Sequence, residues 1–396
     1  MILKGDMNMK AVQIKPNIYW VGAIDWSMRT FHGYSTGRGS SYNAYLIIDD
    51  KVTLIDTVKA PFYEEMLARI SSVIDPAKID VILSNHVEPD HSGSLALLCH
   101  HAATHATVVT SNPQGLKGLT ARYGNLNYQP VKSGEEISIG KRTLKFVATP
   151  MLHWPDSMVT YCPEEKILFS NDAFGQHLAA NKRFDDENDL HVIMEEARKY
   201  YANILMLYGK QAQGALKALS SLDIEMIAVG HGIIWRKHIL DILAAYEKWS
   251  EGEVDDTKAV VAFDTMWGST EKLAREITDA FTERGIKVSY FDLRCDHISD
   301  VVTEVLTSKY VAIGSPTINN QMMPPVAALL CYLKGFKPTG RKAIAFGSYG
   351  WGGQSVKLVE DELKAAGFEI AADMIRVANV PTQADLDDVR EKIKAM

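Results

Sequence analysis

Cysteine is scarce in this chain of 396 residues: there are four, Cys99, Cys162, Cys295 and Cys331, and no two form a C-x-x-C pair. That spacing excludes the usual zinc-ribbon thiolate site, and the absence of a disulfide framework makes a reducing compartment the natural expectation. No apolar run approaches the length of a membrane span, and the opening residues MILKGDMNMKAVQIK lack an apolar signal core, so the expected location is the cytoplasm. Basic charge is in deficit. A formal net charge of -7 gives no footing for nucleic acid or anionic lipid. There is no internal repeat, no low-complexity tract, no G-K-[ST] phosphate loop and no G-x-G-x-x-G fingerprint. What remains is the balance of a folded protein, 46% hydrophobic and 23% charged, in a chain long enough for two or three domains.

The pattern changes near residue 250. Before it, short strands rich in branched and aromatic residues are expected at Ile18–Ile24, Tyr42–Ile48, Val52–Asp56, Val81–Ser84, Lys166–Ser170 and Glu225–Val229, with a hairpin around Gly134–Ala148. Helices are expected at Phe62–Ile74, stopped by Asp75-Pro76, and at Ser94–His101. The acidic stretch from Ser250 to Thr257 reads as a linker, giving residues 1–250, a linker at 251–257, and residues 258–396. Beyond it, strands and helices alternate: Val260–Phe263, helix Glu271–Arg284, Val288–Asp292, Tyr310–Gly314, Ala343–Phe346, helix Ser355–Ala366 and a weak strand near Ile375–Val377. That rhythm predicts an open, doubly wound parallel sheet, so the whole chain is of the α/β class.

The strongest chemical signal is His86-Val-Glu88-Pro-Asp90-His91, four potential metal donors in six residues directly after an apolar strand. His153, Asp172 and His231 also follow apolar strands. Strand-end loops are where catalytic groups usually sit, and repeated placement there brings seven donors to one rim. An isolated histidine is more often a surface or capping residue than a ligand, and His100, His101, His105, His177, His191, His238 and His297 are read as structural or surface residues. The hexapeptide differs, because burying its charges without a cation would leave them unpaired.

A second signal lies in the later half. The segment Asp264-Thr-Met-Trp-Gly-Ser-Thr270 joins a strand to a helix, a position suited to a phosphate because free backbone N–H groups and the helix dipole face the anion. Thr265, Ser269 and Thr270 add hydroxyls, Gly268 allows close approach, and Met266 and Trp267 complete the loop. Ser315, Pro316, Thr317, Asn319 and Asn320 follow the next central strand, and Ser348, Tyr349, Gly350, Trp351, Gly352 and Gly353 the one after. Glycines and aromatics at a crevice can enclose a flat ring, with Trp267, Tyr349 and Trp351 as its walls; alternatively, each aromatic only covers a loop.

The hexapeptide resembles the metallo-β-lactamase motif H-x-H-x-D-H with a glutamate at the second histidine, and the three later loops resemble flavodoxin. Together they resemble the flavodiiron protein family over nearly the whole chain. The resemblance implies a metallo-β-lactamase-like αββα domain followed by a flavodoxin-like FMN domain. It assigns one iron to His86, Glu88 and His153, the other to Asp90, His91 and His231, and makes Asp172 the bridge. Carboxylate in place of imidazole suits iron better than zinc. His32 and Tyr200 resemble residues lining the family's gas pocket; read alone, they organise a loop and pack a helix. The implied reaction is reduction of dioxygen to water by four electrons, two from flavin and two from the ferrous pair, or of nitric oxide to nitrous oxide. A separate donor is implied, rubredoxin or a reduced deazaflavin, with a head-to-tail homodimer or homotetramer. The competing readings are a hydrolase of the β-lactamase fold fused to a flavodoxin, a pure electron carrier, and a gas sensor.

Overall fold

A computed structural model describes residues 9–396, so residues 1–8, part of the segment read for a signal core, lie outside the described residues. The described residues form two compact units. The first runs to Phe31 and includes Thr36–Tyr200 and Lys210–Glu247; the second comprises His32–Ser35, Tyr201–Gly209 and Lys248–Met396. The chain does not divide by a single cut near residue 250. Ser35 N–H donates to Ser299 Oγ at 3.1 Å, and Asn203 Nδ2 donates to Thr303 Oγ1 at 3.2 Å, so two early segments are held within the second unit. The expected linker is mostly structured: Glu251 ends the helix Ile239–Glu251, and Asp255–Thr257 open the strand Asp255–Phe263.

The first unit is a sandwich of two sheets. One has seven strands, in the order Val12–Lys15, Ile18–Trp20, Tyr45–Ile47, Val52–Ile55, Ile79–Ser84, Thr107–Ser111, Tyr128–Val131. The other has five: Glu136–Ser138, Thr143–Ala148, Met158–Cys162, Ile167–Asn171, Met226–Val229. Successive residues of a strand point to opposite faces. Tyr45, Ile47, Val81 and Leu83 therefore meet Phe146, Ile167 and Phe169 of the facing sheet in one core. Leu46 and Ile82 turn outward to Met66 and Ile70 of the helix Tyr63–Ser71 and Leu95 and Leu98 of the helix Leu95–His101. Central strands covered on two faces read as continuous apolar runs, which is why they were visible in the sequence.

Two expected strands are each broken. Ile18–Ile24 splits into Ile18–Trp20 and Ala23–Asp25, which pair in different sheets. A side chain at Gly22 would meet Tyr42 O at 2.2 Å, so glycine lets the two chains cross. Tyr42–Ile48 splits at Asn43, whose side chain accepts from Trp20 Nε1 at 2.8 Å and donates to Val229 O at 2.9 Å. An amide bonding in two directions takes the place of a regular ladder there.

The second unit has a parallel sheet in the order Lys287–Asp292, Asp255–Phe263, Ser308–Gly314, Lys342–Tyr349, with Ile375–Ala378 beyond. By position along this unit the order is 2-1-3-4-5, which reverses direction between the first and third strands. Ala259, Val261 and Phe263 pack on Leu273, Ile277 and Phe281 of the helix Ser269–Glu283 and on Val389 and Ile393 of Gln383–Ala395. The strand expected at Ala343–Phe346 continues to Tyr349, so Ser348 and Tyr349 belong to a strand end rather than a loop.

Phe169 is fully buried between the two sheets of the first unit. Phe169→Ala should cost about 3–5 kcal/mol in chemical denaturation of that unit, from lost burial and the cavity left behind.

Candidate metal centre and flavin loops

Chain direction brings the metal candidates to one edge. The strands Thr143–Ala148, Met158–Cys162 and Ile167–Asn171 alternate in direction, and Ile167–Asn171 runs parallel to Met226–Val229. The first, third and fourth therefore end on the same side, followed by His153, Asp172 and His231 respectively. The hexapeptide leaves the strand Ile79–Ser84 of the facing sheet. Pro89 opens a single helical turn, Pro89–Ser92, in which Asp90 and His91 are buried.

All seven candidates converge, in two groups: His86, Glu88, His153 and Asp172; then Asp90, His91 and His231. Within each group the donor atoms lie within 4.8 Å of one another. Asp172 faces both. Its Oδ2 is 3.5 Å from His153 Nε2 and 3.7 Å from His86 Nε2, while its Oδ1 is 2.8 Å from His91 Nε2 and 3.4 Å from His231 Nε2. Glu88 Oε2 sits 3.3 Å from the Nε2 of His86 and of His153, and Asp90 Oδ2 sits 3.2 Å from His231 Nε2. Donors that share a cation at about 2.0–2.2 Å have roughly such separations from one another.

Burial makes this arrangement expensive without a cation. Neither oxygen of Asp90, nor Oδ2 of Asp172, has a hydrogen-bond partner among the described residues. Burial pushes the Glu88 and Asp172 pKa values up, yet the facing His153 and His91 hold them below the usual carboxylate range. Burial likewise opposes charge on His153 and His231, but their carboxylate neighbours lift them to about 9 and about 10. Protons thus occupy the electrostatic role that metal ions would take, and the donor set fits a pair of cations.

Several supports escaped the sequence reading. Buried Asp56, at φ 56°, accepts from Asn85 N at 2.8 Å and from the side chains of Asn85 and Asn171 at 3.0 and 3.3 Å. Those asparagines immediately precede His86 and Asp172, so one carboxylate fixes the approach of two donor-bearing loops. The available signal was an acid at the end of an apolar strand. A side chain at Gly230 would lie 2.8 Å from His91 Cε1, which reserves that position for glycine. His177, read as structural or surface, is buried with its ring 4.6 Å from that of His231 and its Nδ1 2.7 Å from Ser40 Oγ. Only its place five residues after Asp172 hinted at this.

Tyr200 is buried, its ring 6.2 Å from His231 and 5.2 Å from His177. His32 is exposed at φ 47° and is counted in the second unit; its neighbour Phe31 is the residue whose ring stands 4.6 Å from His177 and 6.1 Å from His231.

The flavin candidates gather at the switch point of the parallel sheet. Gly268, at φ 84°, precedes the helix Ser269–Glu283 and gives its N–H to Thr265 Oγ1 at 3.1 Å. Ser269 and Thr270 lie in the first helical turn, and Thr270 Oγ1 is 2.8 Å from Ser348 Oγ. Thr317 Oγ1 is 2.8 Å from Ser355 Oγ, and Ser315 Oγ accepts from Met323 N at 2.9 Å. Pro316, Asn319 and Asn320 continue the same segment, with both asparagines at positive φ. Gly350, Gly352 and Gly353 lead into the helix Gln354–Ala366. Met266, Trp267 and Trp351 are 42%, 93% and 86% exposed and hold no core together. Exposed aromatics beside a hydroxyl-lined helix start fit a flat ring carrying a phosphate.

Residues 41–232 match the ODP family of β-lactamase-like domains, and residues 261–393 match flavodoxin. A nitric oxide reductase of Moorella thermoacetica is 46% identical, across 91% of this chain and 92% of that protein. The chain belongs to the flavodiiron protein family. The solved rubredoxin oxygen:oxidoreductase of Desulfovibrio gigas superposes with a TM-score of 0.95 at 40% identity, covering 98% of this chain and 97% of that one. A flavodiiron protein of Giardia intestinalis follows at 0.94 and 38%, covering 98% and 96%. The cofactors of this family member are FMN and a non-haem iron pair, and the donor set above accommodates the latter.

Two measurements check this geometry. His153 and His231 have folded pKa values above the ordinary 6.5, so their contribution to apoprotein stability is complete below that value and is lost as pH rises through about 9 to about 10. Metal-free protein should therefore lose unfolding free energy across that window, whereas iron-loaded protein should not. Gly230→Ala should lower bound iron, measured by metal analysis, with FMN content unchanged.

Proposed function

We propose that this protein reduces dioxygen to water, nitric oxide to nitrous oxide, or both, at two irons supplied with electrons through FMN. The observation that carries the reading is Asp172, whose two carboxylate oxygens each face a separate histidine-containing donor set. The irons supply gas binding and electron transfer, and FMN supplies electrons in pairs.

The chain's own residues do the rest. His86, Glu88 and His153 would hold one iron and Asp90, His91 and His231 the other, with Asp172 placed to serve both. Phe31, His177 and Tyr200 surround the His231 ring and restrict the space around it. Tyr200 is the candidate hydrogen-bond donor to a reacting gas, and His32 is assigned the same kind of role from its resemblance alone. Thr265, Ser269 and Thr270 with the helix N-terminus would take the FMN phosphate. Trp267, Tyr349 and Trp351 would wall the ring, and Ser315–Asn320 and Gly350–Gly353 would offer backbone and hydroxyl groups to it.

Rubredoxin is the proposed donor, as in the name of the Desulfovibrio relative. Metal donors and flavin loops belong to different units, which supports a head-to-tail homodimer or homotetramer in which one subunit's FMN serves another's irons. Four free cysteines are consistent with the cytoplasm, and no helix among the described residues is long and apolar enough to cross a membrane. The hydrolase alternative is disfavoured by Glu88 and by the similarity to a nitric oxide reductase and a rubredoxin oxygen:oxidoreductase.

Asp172→Ala should lose iron and at least about a hundredfold of gas reduction while keeping its yellow FMN. Full turnover in that variant would refute the assignment. Anaerobic nitric oxide consumption and, separately, dioxygen consumption, measured on one preparation with reduced rubredoxin or reduced deazaflavin, separate the two substrates and the two donors.

A further inference from the structure

The two donor sets are chemically matched where they face the metals. Each has two imidazoles presenting Nε2, one carboxylate of its own, and one oxygen of Asp172. What differs is the partner behind each imidazole. His86 Nδ1 lies 2.8 Å from Asp156 Oδ2, and Val87 N–H donates to that same oxygen at 2.8 Å. Asp156 is buried, and its own carbonyl is fixed by Ser111 Oγ at 2.8 Å. In the other set, His231 Nδ1 meets a neutral carbonyl, that of Ser41, at 2.8 Å, and His91 Nδ1 has no hydrogen-bond partner among the described residues. Among the described residues, no other metal-facing imidazole has a carboxylate on its Nδ1.

A buried carboxylate behind a ligand imidazole does two things. It pins the proton on Nδ1, leaving the Nε2 lone pair for the metal, and it pushes electron density toward that lone pair. A neutral carbonyl pins the tautomer with less polarisation, and an unbonded Nδ1 does neither.

We propose that Asp156 is a positioning residue that makes the two metal positions unequal, so that the His86–Glu88–His153 position takes its metal first and holds it more tightly. This rests on the dinuclear site proposed above and adds an order of loading to it. Val87, which shares the Asp156 oxygen, ties the backbone next to His86 to the same anchor.

The test is calorimetric titration of metal-free, FMN-loaded full-length protein with cobalt(II). Two steps are expected, the first tighter by at least about tenfold. Glu88→Gln should remove the tight step, and Asp90→Asn the weak one. Asp156→Asn keeps the shape and an oxygen able to accept from His86 and Val87 but lacks the charge. It should weaken the first step by about 10–100-fold and leave the second where it was. A purely structural Asp156 would be rescued by asparagine, so an unchanged first step overturns the proposal, as does equal weakening of both steps. If Asp156→Asn does not fold, the wild-type, Glu88→Gln and Asp90→Asn titrations still decide the order; equal affinities or the reverse order overturn it. Wild-type apoprotein that binds no cobalt would sink the dinuclear site itself, a different failure from two equal sites.

Discussion

Three carboxylates, Glu88, Asp90 and Asp172, are buried beside four imidazoles, and much of the first unit is organised around that fact. Negative charge removed from water is tolerable only when countercharge is held close and in fixed geometry. The sandwich supplies the fixing: strands running in one direction in one sheet end beside a strand of the other, and the donors sit on short connections from those ends. Asp56 clamps two of those connections through Asn85 and Asn171, and Gly230 keeps a third close to His91. Removing any of these would leave the donors present but misplaced, and a cation site is sensitive to misplacement of a fraction of an ångström.

The second unit solves the opposite electrostatic problem. It must attract an anionic phosphate without concentrating positive charge, in a chain whose net charge is -7. The start of the helix Ser269–Glu283, with the hydroxyls of Thr265 and Thr270 beside it, offers partial positive charge from the helix dipole and hydroxyl groups. The reversal of strand order opens the crevice in which this happens. One half therefore gathers acids to hold cations, and the other uses dipoles to hold an anion. A flavin and an iron pair can share one chain because these two tasks are given to separate units.

The histidines show how burial reassigns chemically identical side chains. His86, His91, His153 and His231 all present Nε2 to the cluster, yet their outer nitrogens meet different surroundings: Asp156 behind His86, Ser41 O behind His231. His177 packs against His231 without joining either donor group. Residue type alone separates none of these roles. The contacts on the far side of each ring do.

Much of the site was legible in the linear chain, for a physical reason: donors that follow apolar strands are carried to sheet edges whatever the details of packing. The hexapeptide, Asp172 and His231 could be picked out because each stands within two residues of a strand end, and His153 because it follows the strand Thr143–Ala148 by five. The hydroxyl-rich start of Ser269–Glu283 was legible because helix termini recur at fixed places in a strand–helix alternation. Other features were decided only by tertiary structure. Asp56, Asp156 and His177 act through residues distant in sequence; the local cues to Asp56 and His177 are faint, and Asp156 has none. The breaks at Gly22 and Asn43 arise where other segments cross. The inclusion of His32–Ser35 and Tyr201–Gly209 in the second unit depends on hydrogen bonds to Ser299 and Thr303, roughly a hundred or more residues away. Local pattern determines which residues reach an edge; only the closed fold determines what stands behind them, because those partners come from other strands and loops.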